Sequence, residues 1–285
     1  MISFRGWHRR LALGLPTVLG LRRRGFFIPY RGASAVVEPG NRESYTAVEA
    51  TLAGRRRAFA NWLAILDEYS VALTNIGTED PPAPRWTQDW FPRLDAAMAY
   101  TMVRNRRPKR VVEVGSGHST RFFARAIADA NLDTTITAID PQPRADLAGL
   151  GSVQLLCKPL QEVGLAPFEE LVAGDILAID SSHVLMPGSD VDILQNRILP
   201  ILPAGVIVQV HDIFLPDDYP VGWDWRGYNE QLGIAALLHE GSSWTVEFAS
   251  HYAVTRMPDS VAASAVGRLP LQAGAHESGL WIMKV

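Results

Sequence analysis

Two short segments of this 285-residue chain bring acids and imidazoles together: Ile179-Asp180-Ser181-Ser182-His183 and Val210-His211-Asp212. Each follows an apolar, β-branched run of strand length. A buried charge is costly unless it is paired or bound to metal. Two carboxylates and two imidazoles at the ends of buried strands therefore imply a metal ion or acid–base chemistry. Asp180 and Asp212 are the expected oxygen ligands. His211 completes the set only where its strand has already ended, because adjacent strand residues point to opposite faces. Oxygen donors suit Mg²⁺ or Ca²⁺, and an imidazole shifts the preference toward Mn²⁺, Fe²⁺, Co²⁺, Ni²⁺ or Zn²⁺. His183, whose ring titrates near neutral pH, is the expected general base, with Asp180 beside it at the reacting centre. Either histidine alone would read as a satisfied structural residue.

A second motif, Glu113-Val114-Gly115-Ser116-Gly117-His118-Ser119-Thr120, closes the strand predicted over Val111–Val114. Gly115 and Gly117 allow a tight turn and a close approach to a ligand, and a helix opening at Ser119 or Thr120 offers unpaired N–H groups. The motif departs from the dinucleotide fingerprint in two ways: position 120 is Thr120 rather than glycine, and an acid stands two residues before the first glycine. That acid suits a cationic ligand, and the sulfonium and amino groups of S-adenosylmethionine are cationic. Asp140, in Ile139-Asp140-Pro141, stands where an acid holds the ribose hydroxyls of dinucleotides and adenosyl donors alike; its plainer reading is a turn aspartate before proline. The expected donor-binding set is Glu113, Gly115, Ser116, Gly117, Ser119, Thr120, Asp140 and Asp180. After Asp212, residues 213–231 carry five aromatics and three aspartates among prolines and glycines. Such a segment serves as a lid or as a long connection packed on the sheet.

The elements that must position these residues follow from Arg110 onward, where short β-branched runs alternate with helical stretches, as in a parallel α/β sheet. Strands are predicted over Val111–Val114, Thr135–Ile139, Val153–Cys157, Ile176–Ile179 and Val206–Val210. Helices are predicted over Ser119–Ala130, Asp190–Leu202 and Gly227–His239, and Trp244–Phe248 with Leu280–Val285 forms a closing antiparallel pair. The fold class is α/β, a Rossmann-like, doubly wound and mostly parallel sheet, whose ligands bind at the carboxyl ends of the strands. Apolar residues from Val48 to Leu73 recur at helical spacing, which predicts a helical stretch over 43–75 with Asn41 as its cap. Pro81-Pro82-Ala83-Pro84 then breaks the chain. Two regions result: a basic arm and helical extension over 1–85, and the Rossmann-like domain over 86–285.

Apolar residues make up 47% and charged residues 20%, the balance of a folded soluble domain rather than a disordered one. A net charge of -3 gives no footprint for nucleic-acid binding. The one cysteine, Cys157, excludes a disulfide framework and fits a reducing, cytoplasmic setting, with the thiol expected inside its strand. The first 37 residues hold seven arginines and no acid. Between the arginine clusters, Leu11–Leu21 is too short to span a bilayer, and no small-residue cleavage site follows it. Residues 1–31 are expected to lie on an anionic inner-membrane surface or an acidic partner, or else to pack on the domain or on a second subunit of a homo-oligomer.

Taken together, these motifs resemble the class I S-adenosylmethionine-dependent methyltransferases of the methyltransferase family 24 type, and more distantly the macrocin O-methyltransferase and cephalosporin-hydroxylase group. The resemblance covers about residues 90–248. It rests on Phe91-Pro92-Arg93-Leu94-Asp95, the Glu113–Thr120 turn, Asp180-Ser181-Ser182-His183, His211-Asp212 and Asn229-Glu230-Gln231. It implies Mg²⁺ bound by an acid after the fourth strand and two acids after the fifth, with a nearby histidine as base. Asp180, Asp212 and His183 match, and His211 stands where the pattern has an acid. The function so implied is metal-assisted O-methylation of a small-molecule hydroxyl, on a sugar or natural product, with S-adenosylmethionine as donor. Two other readings use the same residues: a non-haem iron oxygenase built on two histidines and a carboxylate, and a non-catalytic donor-binding scaffold.

Overall fold

The computed structural model describes His8 and residues 10–285. The alternating β-branched runs build seven strands: β1 (Arg110–Val114), β2 (Thr135–Ile139), β3 (Val153–Leu156), β4 (Ile176–Ile179), β5 (Ile207–Val210), β6 (Trp244–Ala249) and β7 (Leu280–Lys284). They form one sheet in the order β3-β2-β1-β4-β5-β7-β6. The first five strands are parallel, and β7 inserts antiparallel between β5 and β6. The strand order reverses between β1 and β4, which opens a crevice at their carboxyl ends. Val114 pairs with Ile139 and with Ile179, and Ile179 pairs with Val210. Gly115, Asp140, Asp180 and His211 therefore leave the sheet at one level, side by side.

Residues 44–217 with 229–285 form one compact unit around this sheet. Helix Arg93–Arg106 is apolar on nearly every face and is buried from Leu94 to Val103. Helix His118–Asp129 opens directly from the glycine turn. The helices of residues 46–75, grouped at the sequence level with the basic arm, bury Val48, Leu52, Phe59, Trp62, Leu63, Leu66 and Leu73 in the same core as the sheet. Phe59 meets Phe248 edge-on at 5.6 Å and Tyr252 at 5.8 Å.

Several predicted boundaries shift. The stretch over 43–75 is three helices, Thr46–Ala53, Arg56–Asp67 and Ser70–Asn75, interrupted at Gly54 and Glu68. Asn41 caps none of them: Tyr45 holds the N-cap position, and its N–H bonds the Pro216 carbonyl at 2.8 Å. The helix expected over 190–202 is α-helical only from Asp190 to Ile193, widens to a π-helix over Leu194–Ile198, and ends in a 3-10 turn, Leu199–Ile201, at Pro200, which lacks a backbone donor. The helix expected over 227–239 spans only Glu230–Ala235, because Gly227 turns into the left-handed region (φ 69°). Cys157 is exposed rather than enclosed in a strand: the edge strand β3 stops at Leu156 and the thiol stands beyond it.

The described residues up to Glu43, with Asp218–Tyr228, form a second unit. Within it Arg42 pairs with Asp218 at 2.9 Å, Tyr219 and Trp223 meet Tyr228 edge-on, and the Arg226 guanidinium lies 3.9 Å from the Trp223 ring centre. Leu11, Leu15, Val18, Leu19, Phe26, Phe27 and Ile28 are exposed. Arg5 and Arg9 of the basic arm lie outside the described residues. Among the described residues no helix is long and apolar enough to cross a membrane.

Candidate active site

The glycine turn is braced from both sides. Glu113, buried near the carboxyl end of β1, accepts hydrogen bonds from the hydroxyls of Ser119 and Thr120 in the first turn of the following helix. The Gly117 N–H donates to Thr120 Oγ1 at 3.0 Å. Across the turn, the N–H and hydroxyl of Ser116 donate to Asp140 Oδ2 at 2.8 and 3.1 Å, and the Gln142 N–H donates to Asp140 Oδ1 at 2.7 Å. Asp140 thus acts both as a turn aspartate and as a brace; Oδ2 accepts twice, and Oδ1 keeps a second lone pair for a ligand hydroxyl. The two glycines differ in role. Gly115 has φ +85°, and a Cβ there would overlap the Asp180 carbonyl, whereas a Cβ on Gly117 would meet nothing within 4 Å. Space for a ligand therefore lies in front of Gly117, and Gly115 serves the close contact between β1 and β4.

The acids and imidazoles converge one strand away. His183 Nδ1 lies 2.9 Å from Glu230 Oε2, and its Nε2 lies 3.2 Å from Asp180 Oδ1 and 3.6 Å from Asp212 Oδ2. His211 Nε2 lies 3.2 Å from Asp95 Oδ2, and its Nδ1 lies 3.5 Å from Asp212 Oδ1 and 3.6 Å from Asp180 Oδ1. His183 and Asp212 both take left-handed backbone conformations (φ 58° and 55°), unusual for residues other than glycine. This explains how neighbours His211 and Asp212 both reach the site. The β5 ladder ends with Val210 and the His211 N–H still bonds the Ile179 carbonyl, after which the turn at Asp212 swings its carboxylate back toward His211. Asp180, His183 and Asp212 offer ligand atoms that all lie within 4.8 Å of one another.

Four carboxylates (Asp95, Asp180, Asp212 and Glu230) surround the two imidazoles. Acidic groups outnumber the imidazoles two to one, so the cluster suits cations. The ionisation of each group follows from these neighbours. Burial alone would lower the His183 ring, but hydrogen bonds with Asp180 and Glu230 raise it well above the usual histidine range. His211 is raised in the same way, against burial, by the charges of Asp212 and Asp180. Burial pushes Asp180 up, yet the charge of His211 and the hydrogen bond with His183 hold it below the carboxylate range. Burial raises Glu230, with His183 opposing. Burial also drives Glu113 up to about 8, against the pull of Ser119 and Thr120.

Asp95 and Glu230 were named in the sequence only as parts of longer motifs. The structure gives each a defined partner, His211 for Asp95 and His183 for Glu230. Ser278, which donates to Asp212 Oδ1 at 3.3 Å, carried no signal in the sequence. Of the aromatic segment 213–231, Ile213, Phe214 and Leu215 are buried in the sheet-bearing unit, and Asp218–Tyr228 belongs to the second unit.

Residues 112–213 match the model of a family described as a methyltransferase domain, a span that begins within β1 and ends one residue after Asp212. Solved structures similar to this chain include an SAH-bound methyltransferase of Podospora anserina, with 18% identity, 92% of this chain and 99% of that chain covered, and a TM-score of 0.43. Another is an O-methyltransferase of Streptomyces achromogenes involved in tomaymycin synthesis, in complex with SAM, with 14% identity, 85% and 91% covered, and a TM-score of 0.39. No curated protein matches the chain.

Proposed function

We propose that this chain is a methyltransferase that uses S-adenosylmethionine to methylate a hydroxyl of a small molecule, a sugar or natural product, at a metal-assisted site. The observation that carries this reading is the juxtaposition of two unlike half-sites. A glycine turn with open space before it and a buried acid beneath it abuts a cluster in which acids outnumber imidazoles. The match to the methyltransferase-domain model spans both halves and supports the same reading.

Each residue has a defined task. Glu113, Ser116, Gly117, Ser119 and Thr120 form the donor turn, Asp140 accepts from the ribose hydroxyls, and Asp180 borders donor and acceptor. The donor supplies an electrophilic methyl group on a sulfonium. The acceptor oxygen forms the new bond to the methyl carbon as the carbon–sulfur bond breaks and its electron pair stays on sulfur. The hydroxyl proton passes to His183 Nε2, and Glu230 on Nδ1 steadies the resulting imidazolium. His183 accepts that proton only after Asp180 and Asp212 are neutralised, because these acids otherwise hold the ring protonated. A divalent ion fits the donor set Asp180, His211 and Asp212, where the buried His211 Nδ1 has no hydrogen-bond partner. Bound there, it would orient acceptor oxygens and lower the hydroxyl pKa.

A second assignment of His183 follows from the 4.8 Å grouping of Asp180, His183 and Asp212, which makes His183 itself a ligand. Calorimetry tests the core of the proposal: the protein should bind S-adenosylmethionine and not NAD, and then transfer labelled methyl to members of a panel of hydroxylated small molecules. Binding of NAD, or of no adenosyl compound, would sink it.

A further inference from the structure

Asp95 lies in the first turn of helix Arg93–Arg106, its side chain wholly out of solvent. Every contact its carboxylate makes is directional. Oδ1 accepts from the Gly279 N–H at 2.8 Å, and Oδ2 accepts from the Ser278 N–H at 2.9 Å and faces His211 Nε2 at 3.2 Å. A Cβ on Gly279 would press on Asp95 Oδ1 at 2.9 Å, so the strand comes as near as glycine allows. A carboxylate held by two backbone donors cannot turn away, so it fixes the ring proton of His211 on Nε2. The Phe91 ring packs against the imidazole at a tilt of 47°, with ring centroids 5.2 Å apart.

The other nitrogen of His211 is the anomaly. Nδ1 is buried and has no hydrogen-bond partner, a rare state for a polar atom inside a protein. It faces Asp212 Oδ1 at 3.5 Å and Asp180 Oδ1 at 3.6 Å. These separations are long for hydrogen bonds. They are close to the spacing of atoms that share one ion, since ligands at about 2.1 Å from a metal stand roughly 3 to 3.5 Å apart. Two carboxylate oxygens and a ring nitrogen gathered at these separations are the arrangement that a shared cation favours.

We propose that Asp95 is a positioning residue that holds His211 with Nδ1 as a metal ligand, and that the resulting nitrogen-bearing site takes a first-row transition ion in preference to Mg²⁺ or Ca²⁺. This rests on the metal-assisted reading above and adds the class of ion and the residue that sets it. An imidazole donor between two carboxylates favours Mn²⁺, Fe²⁺ or Co²⁺ over the oxygen-seeking ions.

Full-length protein loaded with Mn²⁺, without donor or acceptor, tests this by pulsed electron paramagnetic resonance, which detects a coordinated imidazole through its ¹⁴N modulation. The modulation should be present in the wild type, vanish in His211→Gln and persist in His183→Gln. Asp95→Asn should weaken Mn²⁺ binding by about 10- to 100-fold, with thermal melting showing that it still folds. Mg²⁺ should displace Mn²⁺ only in large excess. That competition uses wild-type protein alone, so it stands even if a variant fails to fold. The proposal is overturned if Mn²⁺ shows no nitrogen signal, if the signal survives in His211→Gln, if Mg²⁺ competes at equal concentration, or if Asp95→Asn binds as the wild type does. Protein that binds S-adenosylmethionine but no metal would sink this inference while sparing methyl transfer.

Discussion

A Cβ on Gly115 would stand 1.8 Å from the carbonyl oxygen of Asp180, so the donor turn and the acid cluster are built in direct contact. The Asp180 N–H in turn bonds the Val114 carbonyl at 2.8 Å. Gly115→Ala cannot be accommodated without separating the ends of β1 and β4, and it also forces a side chain into a positive-φ backbone. The conformational cost alone is about 1–3 kcal/mol. The variant should melt at a lower temperature and lose donor and metal binding together. Gly117→Ala, whose Cβ enters open space, should keep the wild-type melting temperature and weaken donor binding alone. Differential scanning calorimetry and donor titration separate the two outcomes; equal behaviour of the two variants would refute the division of roles.

Glu113 should make stability and donor binding depend on pH. Its folded carboxyl sits near 8 because it is buried, well above the ordinary value of 4.5. A raised folded pKa means that the native state holds a proton the unfolded chain releases. The associated stability is fully present below pH 4.5 and declines as pH rises through 8. Glu113→Gln should remove that decline, visible as a flatter melting profile between pH 5 and pH 9. A cationic donor favours the ionised acid, so binding at pH 7 should release up to about one proton. Calorimetry in two buffers of different ionisation enthalpy measures it, and no buffer dependence would refute the pairing of Glu113 with the donor's charge.

The residues legible in the sequence are those that follow strand ends. Asp140, Asp180 and His211 could be placed because β-branched runs end just before them, and parallel pairing brings such ends to one level. What the sequence conceals is partnership across distance. Asp95 reaches His211 over more than a hundred positions, and its only local sign is an acid inside the mostly apolar run Leu94–Val103. Glu230 heads a short helix and looks like an ordinary first-turn acid until the αL turn at His183 brings the ring to it. The direction of His211 depended on where β5 ends, which periodicity fixes only to within a residue or two. The interruptions at Gly54 and around Pro200 were overridden in the pattern by apolar spacing that continues through them.

Asp180→Ala and Asp212→Ala should each lose bound metal and turnover together, because each removes an oxygen ligand from the cluster. His183→Ala separates the two assignments of that residue. As a base backed by Glu230, its loss should leave metal and donor binding intact while slowing single-turnover methyl transfer by about 10²- to 10⁴-fold. As a ligand, its loss should lower metal content, read by mass spectrometry of the purified protein. If all of these variants hold the same metal as the wild type, the metal half of the proposed function is wrong, and with it the assignment of His183 as the base.

The last prediction concerns the basic arm. Leu11, Leu15, Val18 and Leu19 recur at helical spacing and are all exposed, as are Phe26, Phe27 and Ile28 just beyond the arginines at 22–24. An apolar stripe facing outward beside a cluster of cations and no acids suits an anionic bilayer surface, where the apolar groups enter the interface and the arginines meet lipid phosphates. Full-length protein should therefore sediment with vesicles containing anionic lipid and not with neutral ones. High salt should reduce the binding, since exposed charges are screened over about 10 Å at 0.1 M. Deleting residues 1–31 should abolish it, and replacing Phe26, Phe27 and Ile28 with serine should weaken it at unchanged net charge. If the deletion variant sediments as the full chain does, the arm is not a membrane element. Light scattering then decides what covers the stripe: a mass that halves on deletion means a second copy of the chain, and an unchanged monomeric mass means packing within one chain.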